Sequence, residues 1–207
     1  MKDARPSRDG ASGFSRRAFL QGTGAAAAAT ALATGGGVAE AADDKAKVLG
    51  PGPTSISLKV NGADRKVTVE PRTTLLEALR YKLNLTGAKP VSVDDSSGAS
   101  MVIIDGKPAS ANTVLAVACV GKKIQTVESL GGTKPDPVAS AFVHNDAMQC
   151  GFCTPGFVVA VRAFLDKNPK ATEEQIRKGL NSNLCRCGTY ANVIMAAVEV
   201  VKGGARG

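Results

Sequence analysis

Two tight cysteine pairs, Cys150-Gly-Phe-Cys153 and Cys185-Arg-Cys187, constrain this chain more than any other feature of its sequence. They hold four of the five cysteines, and the odd total excludes a framework made only of disulfides. Each pair stands beside a predicted helix start, so four thiolates on two turns can converge on one site. Thiolate sulfur suits soft metals and iron–sulfur clusters. A structural zinc ion takes the same four ligands, and spacing alone leaves the two open, although C-x-C is unusual for a zinc ribbon. Gly151, Gly156 and Gly188 would let the backbone approach a bulky inorganic core.

The N-terminus reads as an address. Ser15-Arg16-Arg17-Ala18-Phe19-Leu20 has the form of a twin-arginine export signal, followed by an Ala-rich stretch from Gly22 to Gly37 and by Ala39-Glu40-Ala41, an A-x-A cleavage pattern. Residues 1–41 are therefore expected to be a signal peptide and the mature chain periplasmic. The Gly/Thr-broken stretch falls short of the roughly 20 apolar residues of a membrane span, so no stable span is expected. The twin-arginine route carries folded proteins, which suits a cofactor inserted before export. The leader holds five basic residues and three acids; setting them aside from 26 basic and 18 acidic residues leaves a surplus of about +6. The remaining Lys and Arg are dispersed and not interleaved with aromatics, which argues against nucleic-acid binding.

Residues 42–53 read as a linker, charged and then rich in Gly and Pro. Ile56, Leu58 and Val60 alternate with polar residues as a half-buried strand, and Val67 and Val69 return as a second. Asn61-Gly62 signals a hairpin, which the charged segment Ala63–Lys66 suggests is a longer loop. Thr74-Leu-Leu-Glu77 is a capping box opening a helix to about Leu83. Met101–Ile104 is a strand ended by Asp105-Gly106, and Ile124–Val127 is another. From residue 131 the pattern becomes helical: Asp136-Pro137 starts a helix to about Gln149, and Thr154-Pro155 one from Gly156 to about Lys167. Thr172-x-x-Gln175 caps a third, to Leu180, and Ala191–Val201 is a last apolar helix. The expected class is α+β: a β-grasp, ferredoxin-like domain over 54–130 and a helical bundle over 131–207, with the cysteines at two inter-helix junctions.

Gln149-Cys-Gly-Phe-Cys-Thr-Pro-Gly156 followed by Asn183-Leu-Cys-Arg-Cys-Gly-Thr-Tyr190 resembles the cluster domain of the small subunit of the xanthine oxidase family, the molybdenum hydroxylases. The similarity spans roughly residues 54–202. It implies one [2Fe–2S] cluster on Cys150, Cys153, Cys185 and Cys187, with Gln149 and Cys187 also contacting a molybdopterin held mainly by a large partner subunit. The implied function is electron transfer, without bond chemistry on this chain, for a complex oxidising an aldehyde or an N-heterocycle. A c-type cytochrome is a plausible acceptor by analogy. The alternative is a structural, assembly and export subunit whose cluster lies off the electron path.

The chain departs from that family in its N-terminal half. Where the family carries a plant-type cluster, C-x4-C-x2-C with a fourth Cys beyond, this sequence has Ser92, Ser97, Ser100 and Asn112. A serine hydroxyl gives up its proton far less readily than a thiol, whose pKa is about 8.5, so this half is expected to be cluster-free. Cys119, in an apolar run, reads as a buried small hydrophobe. His144 reads as a polar helix-face residue before a ligand, and Arg186 equally as a tuning charge or a surface residue. No Gly-rich phosphate loop and no Ser/His/Asp set is present, so substrate chemistry is assigned to another chain.

Overall fold

The computed structural model describes residues 49–203. The segment expected to be an export signal, residues 1–41, and most of the expected linker lie outside the described residues. Two seven-residue strands open the fold, β1 (Thr54–Val60) and β2 (Ala63–Val69). They pair antiparallel up to Val60↔Ala63. The turn is therefore the two residues Asn61-Gly62, both at positive φ (51° and 82°), the geometry an Asn-Gly type I′ turn supplies. The longer loop expected at Ala63–Lys66 is strand instead. Its side chains face solvent, so charge carried no information about the backbone.

Helix α1 (Leu75–Glu77) starts at the Thr74–Glu77 capping box and continues as a wider π-helical turn over Ala78–Lys82. Strand β3 (Met101–Ile104) turns at Asp105-Gly106, φ 49° and 76°, straight into β4 (Lys107–Ser110). Strand β4 has no apolar alternation and contains Pro108, tolerable because it is an edge strand. Strand β5 (Lys123–Gln125) then enters the middle. The sheet order is β2-β1-β5-β3-β4, with β5 parallel to β1 and antiparallel to β3. Leu58, Leu75, Leu79, Val102 and Ile124 fill the core between sheet and α1; each such side chain contributes about 1.5–3 kcal/mol on burial. Cys119 is fully buried there, as expected of a small hydrophobe.

The second half is helical: α2 (Pro137–His144), α3 (Thr154–Lys167), α4 (Glu173–Gly179) and α5 (Tyr190–Val201). Helix α2 stops five residues short of the expected Gln149. Asp146 takes a left-handed conformation (φ 48°), and the N–H groups of Ala147 and Asp146 donate to Phe142 O and Val143 O at 2.9 and 3.2 Å. This is a Schellman end with Asp where Gly is usual, which is why the sequence hides it. The chain is thereby freed to form the Cys150 loop. No described helix is long and apolar enough to cross a membrane.

Helix α3 is buried almost all round, with Phe157, Val158, Val159, Ala160, Val161, Ala163 and Leu165 all inside. Phe157, Val161 and Leu165 belong to the helical core, whereas Val159 and Ala163 pack on Ile103 of the sheet. An all-round apolar helix must lie between layers, and this one joins the two. Its first turn touches the serine-rich loop: a Cβ on Gly156 would stand 2.4 Å from Gly98 O and 3.1 Å from Ala99 Cα. The obstacle is backbone, which cannot swing away. Gly156→Ala is accordingly expected to destabilise the fold by about 1–3 kcal/mol, read as a lowered Tm; an unchanged Tm would show that the contact is loose.

Candidate metal centre

The two cysteine loops meet where α3 and α5 begin. Cys153 stands at the N-cap of α3, and Cys185 lies five residues before the start of α5. Gly151 (φ 77°) and Gly188 (φ 85°) make the loop turns, with open space where a Cβ would sit. Their role is backbone conformation. Gly156, expected to make room for an inorganic core, instead makes room for the Gly98 carbonyl.

The four thiols come together in two crossed pairs. The Cys150 thiol lies near that of Cys187, and the Cys153 thiol near that of Cys185, each close enough to shift its neighbour's acidity, with Cys150 also within electrostatic reach of Cys185. Cys150 and Cys187 are exposed, Cys153 is half-buried and Cys185 is buried. No three His, Cys, Asp or Glu side chains among the described residues gather around a single-ion position. Four neighbouring thiols are the donor set of a binuclear cluster with two cysteines per iron. The residues present fit a [2Fe–2S] group.

The thiols differ in acidity for identifiable reasons. Burial pushes Cys153 up to about 12, helped by its bond to Cys185 and the charges of Cys185 and Cys150. Burial also opposes ionisation of Cys185, but the Thr189 hydroxyl and backbone N–H, with Cys153 and the Cys187 N–H, outweigh it and hold this thiol down at about 7. Cys150 is lowered by the Phe152 N–H and by Cys187. Cys187 receives a lowering bond from the Cys150 N–H, yet its thiol bond to Cys150, burial and neighbouring negative charge raise it overall. One thiol of each pair is thus the readier thiolate. Burial raises Cys119 as well.

The rim of the site is apolar. Met148, Phe152 and Leu184 flank the cysteines and are all exposed, Leu184 to 53%. Gln149 and Arg186 are exposed as well, and Gln149 adjoins Cys150. His144 lies at the C-terminus of α2, where Nδ1 meets Glu199 Oε1 at 3.2 Å. It is a helix-end polar residue, and its bond holds the Glu199 carboxyl below its ordinary value.

Below the cysteines lies the loop where a plant-type cluster would sit. Ser92 Oγ and Ser97 Oγ are 3.4 Å apart, and the Ser100 hydroxyl donates to Asp95 at 2.8 Å. The Asn112 amide donates to Ser92 O and Val93 O, both at 2.8 Å, and its backbone N–H to Ser100 Oγ at 3.1 Å. The four ligand-position residues are thus brought together and joined in one hydrogen-bonded network. The cysteine and serine loops also bond directly, Leu184 N–H to Ser97 O at 2.9 Å and Asn183 Nδ2 to Gly98 O at 3.1 Å. The roles of Asn183 and Thr189 were missed from sequence, where the only signal is their place in the run Asn183–Tyr190.

Residues 126–199 match the family model described as a [2Fe-2S] binding domain. Over 144 residues the chain is 42% identical to a nicotinate dehydrogenase subunit of Pseudomonas putida, covering 69% of this chain and 92% of that one. The chain belongs to the family of small iron–sulfur subunits of the molybdenum hydroxylases. It is likewise 37% identical over 166 residues to the iron–sulfur-binding subunit of an Escherichia coli K12 aldehyde oxidoreductase, covering 72% of this chain and 71% of that one. Among solved structures, quinoline 2-oxidoreductase from Pseudomonas putida 86 aligns with a TM-score of 0.70 and 37% identity, over 75% of this chain and 98% of that chain. The aldehyde oxidoreductase of Desulfovibrio desulfuricans aligns with a TM-score of 0.68 and 34% identity, over 71% of this chain and 17% of that longer one.

The acidities set an order of reaction in the metal-free protein. Alkylation by iodoacetamide at about pH 7.5 should modify Cys150 first, because thiolate character and exposure coincide there. Cys153 and Cys119 should stay unmodified until the chain unfolds, as peptide mass mapping would read. Cys185 loses its thiolate as pH falls through about 7, and thiolates are the form that binds iron. Cluster uptake should therefore slow below about pH 7; a rate flat with pH would contradict this assignment.

Proposed function

We propose that this chain is the electron-transfer subunit of an exported molybdopterin-dependent hydroxylase that oxidises an aldehyde or an N-heterocycle. One [2Fe–2S] cluster would be held by Cys150 and Cys187 on the exposed side and by Cys153 and Cys185 on the buried side. The observation that carries the reading is the match of residues 126–199, which hold all four thiols, to a [2Fe-2S] binding domain. When bound, the cluster supplies one-electron transfer from the molybdenum site to an acceptor outside the chain.

The protein's own residues set the terms of that transfer. Cys185 is buried against the serine loop, whereas Cys150 and Cys187 are exposed. Gln149, exposed beside Cys150, is placed to hydrogen-bond a molybdopterin, and Cys187 to touch it. The apolar rim of Met148, Phe152 and Leu184 is suited to burial against a large molybdopterin-binding subunit. Relatives named for nicotinate, nicotine, quinoline and aldehyde turnover support the substrate class. The Ser15–Leu20 signal and Ala39–Ala41 supply the address for a periplasmic location, where a c-type cytochrome is a fitting acceptor.

The sheet half is read as a β-grasp domain that has lost its cluster. Hydroxyls and an amide already engaged with one another, with Asp95 and with main-chain carbonyls offer no thiolate to iron. Electrons must then leave directly from the remaining cluster.

Iron analysis and low-temperature EPR of the dithionite-reduced periplasmic complex test this reading. The expected result is two irons on this chain and one EPR signal from it, reduced by substrate within a turnover. Four irons with two signals would restore a cluster to the serine loop, and a cluster that substrate fails to reduce would make the chain an assembly and export subunit. Cys185→Ser is expected to abolish cluster binding, because a serine cannot replace the most acidic buried thiol.

A further inference from the structure

The last turn before α5 carries a hydroxyl whose position the helix does not explain. Thr189 is the N-cap residue of α5, yet its side chain makes no cap bond. At three other helix starts Thr74, Asp136 and Thr172 each accept a backbone N–H of their own helix, as such residues do, whereas Thr126, ahead of a short 3-10 turn, does not. The Thr189 hydroxyl is diverted. It lies 3.1 Å from Cys185 Sγ, with Thr189 5% and Cys185 8% exposed. Gly188, at φ 85°, makes the turn that folds Thr189 back over Cys185. The Cys185 N–H is taken separately by the Tyr190 phenol oxygen at 2.8 Å, so the 3.1 Å contact of the Thr189 hydroxyl is with the sulfur itself.

Given Cys185 as a cluster ligand, the reading proposed above, the sense of this bond follows. A metal-bound thiolate has no proton to give, so Thr189 donates and the sulfur accepts. A hydrogen bond to an ionised acceptor is stronger than a neutral one, and stronger again in a dry site. One-electron reduction adds negative charge to the cluster and its sulfurs. The donor therefore stabilises the reduced form more than the oxidised form, which raises the reduction potential.

We propose that Thr189 is a positioning residue that sets the reduction potential of the cluster by donating a hydrogen bond from its hydroxyl to the Cys185 sulfur. The Thr189 hydroxyl meets the buried Cys185 sulfur and no backbone N–H of its own helix. Thr189→Val removes the hydroxyl at nearly constant size, and Thr189→Ser keeps it.

The test is a redox titration of the intact complex, followed by the EPR signal of this chain's cluster, with iron measured in parallel. Thr189→Val should keep full iron and show about a tenfold lower reduced-to-oxidised ratio at the wild-type midpoint, equivalent to about 59 mV for one electron. Thr189→Ser should return to the wild-type midpoint. A Val variant with full iron and an unmoved midpoint overturns the proposal, as does a Ser variant that shifts as far as Val. If Val and Thr189→Ala both lose iron while Ser keeps it, the hydroxyl holds the loop together and the proposal also fails. A separate outcome concerns the underlying site: should Cys185→Ala keep the cluster with its EPR signal unchanged, Cys185 is not a ligand and the metal assignment itself is at fault.

Discussion

The close approach of Gly156 to the Gly98 carbonyl is the contact on which the rest of the arrangement depends. It leaves no space for a side chain at the start of α3, and it seats that helix against the serine loop at one end while Val159 and Ala163 seat it on Ile103 farther along. Cys153 is at the N-cap of the same helix. Fixing the helix therefore fixes one thiol. The bonds from Leu184 and Asn183 to Ser97 and Gly98 fix the other loop on the same support, so both cysteine pairs are positioned by one short stretch of main chain from the sheet half.

That support explains why the serine loop keeps its form without thiolates. Its four ligand-position residues are tied to one another, to Asp95 and to main-chain carbonyls. Buried polar groups are costly when unpaired, and Ser100, fully buried, is satisfied through Asp95 and the Asn112 N–H. A self-satisfied polar network can hold a loop that an inorganic group would otherwise hold. The loop still does structural service to the neighbouring cysteines, which is reason for the sheet half to persist as a platform.

The asymmetry of the four thiols follows from the donors that reach each sulfur, set against its burial. Desolvation alone would raise both buried cysteines, and it does raise Cys153. Cys185 escapes because donors converge on its sulfur, the Thr189 hydroxyl among them. The buried side of the site thus holds one readily ionised thiol, Cys185, and one held in its neutral form, Cys153.

Much of this was legible in the residues themselves. The alternation of Ile56, Leu58 and Val60, the capping boxes at Thr74 and Thr172, Asp136-Pro137 and the two cysteine motifs are local signals: each depends on neighbours within a turn or two, where backbone geometry and side-chain spacing are set by the sequence alone. Where local signals misled, a longer-range or compensating interaction had won. The exposed charges of Ala63–Lys66 concealed a strand that pairs with β1, Pro108 sat in an edge strand with no periodicity to announce it, and Asp146 ended α2 in a conformation that usually asks for Gly. Sequence by itself determined that four thiols would stand at two helix starts and that Ser92, Ser97, Ser100 and Asn112 carry no thiol. Only the tertiary structure decided that Cys150 pairs with Cys187 and Cys153 with Cys185, that Gly156 serves a carbonyl 58 residues away, and that Thr189 turns from its helix to a sulfur. The first two are contacts between segments whose meeting depends on how α3 is buried, and the third depends on the turn at Gly188.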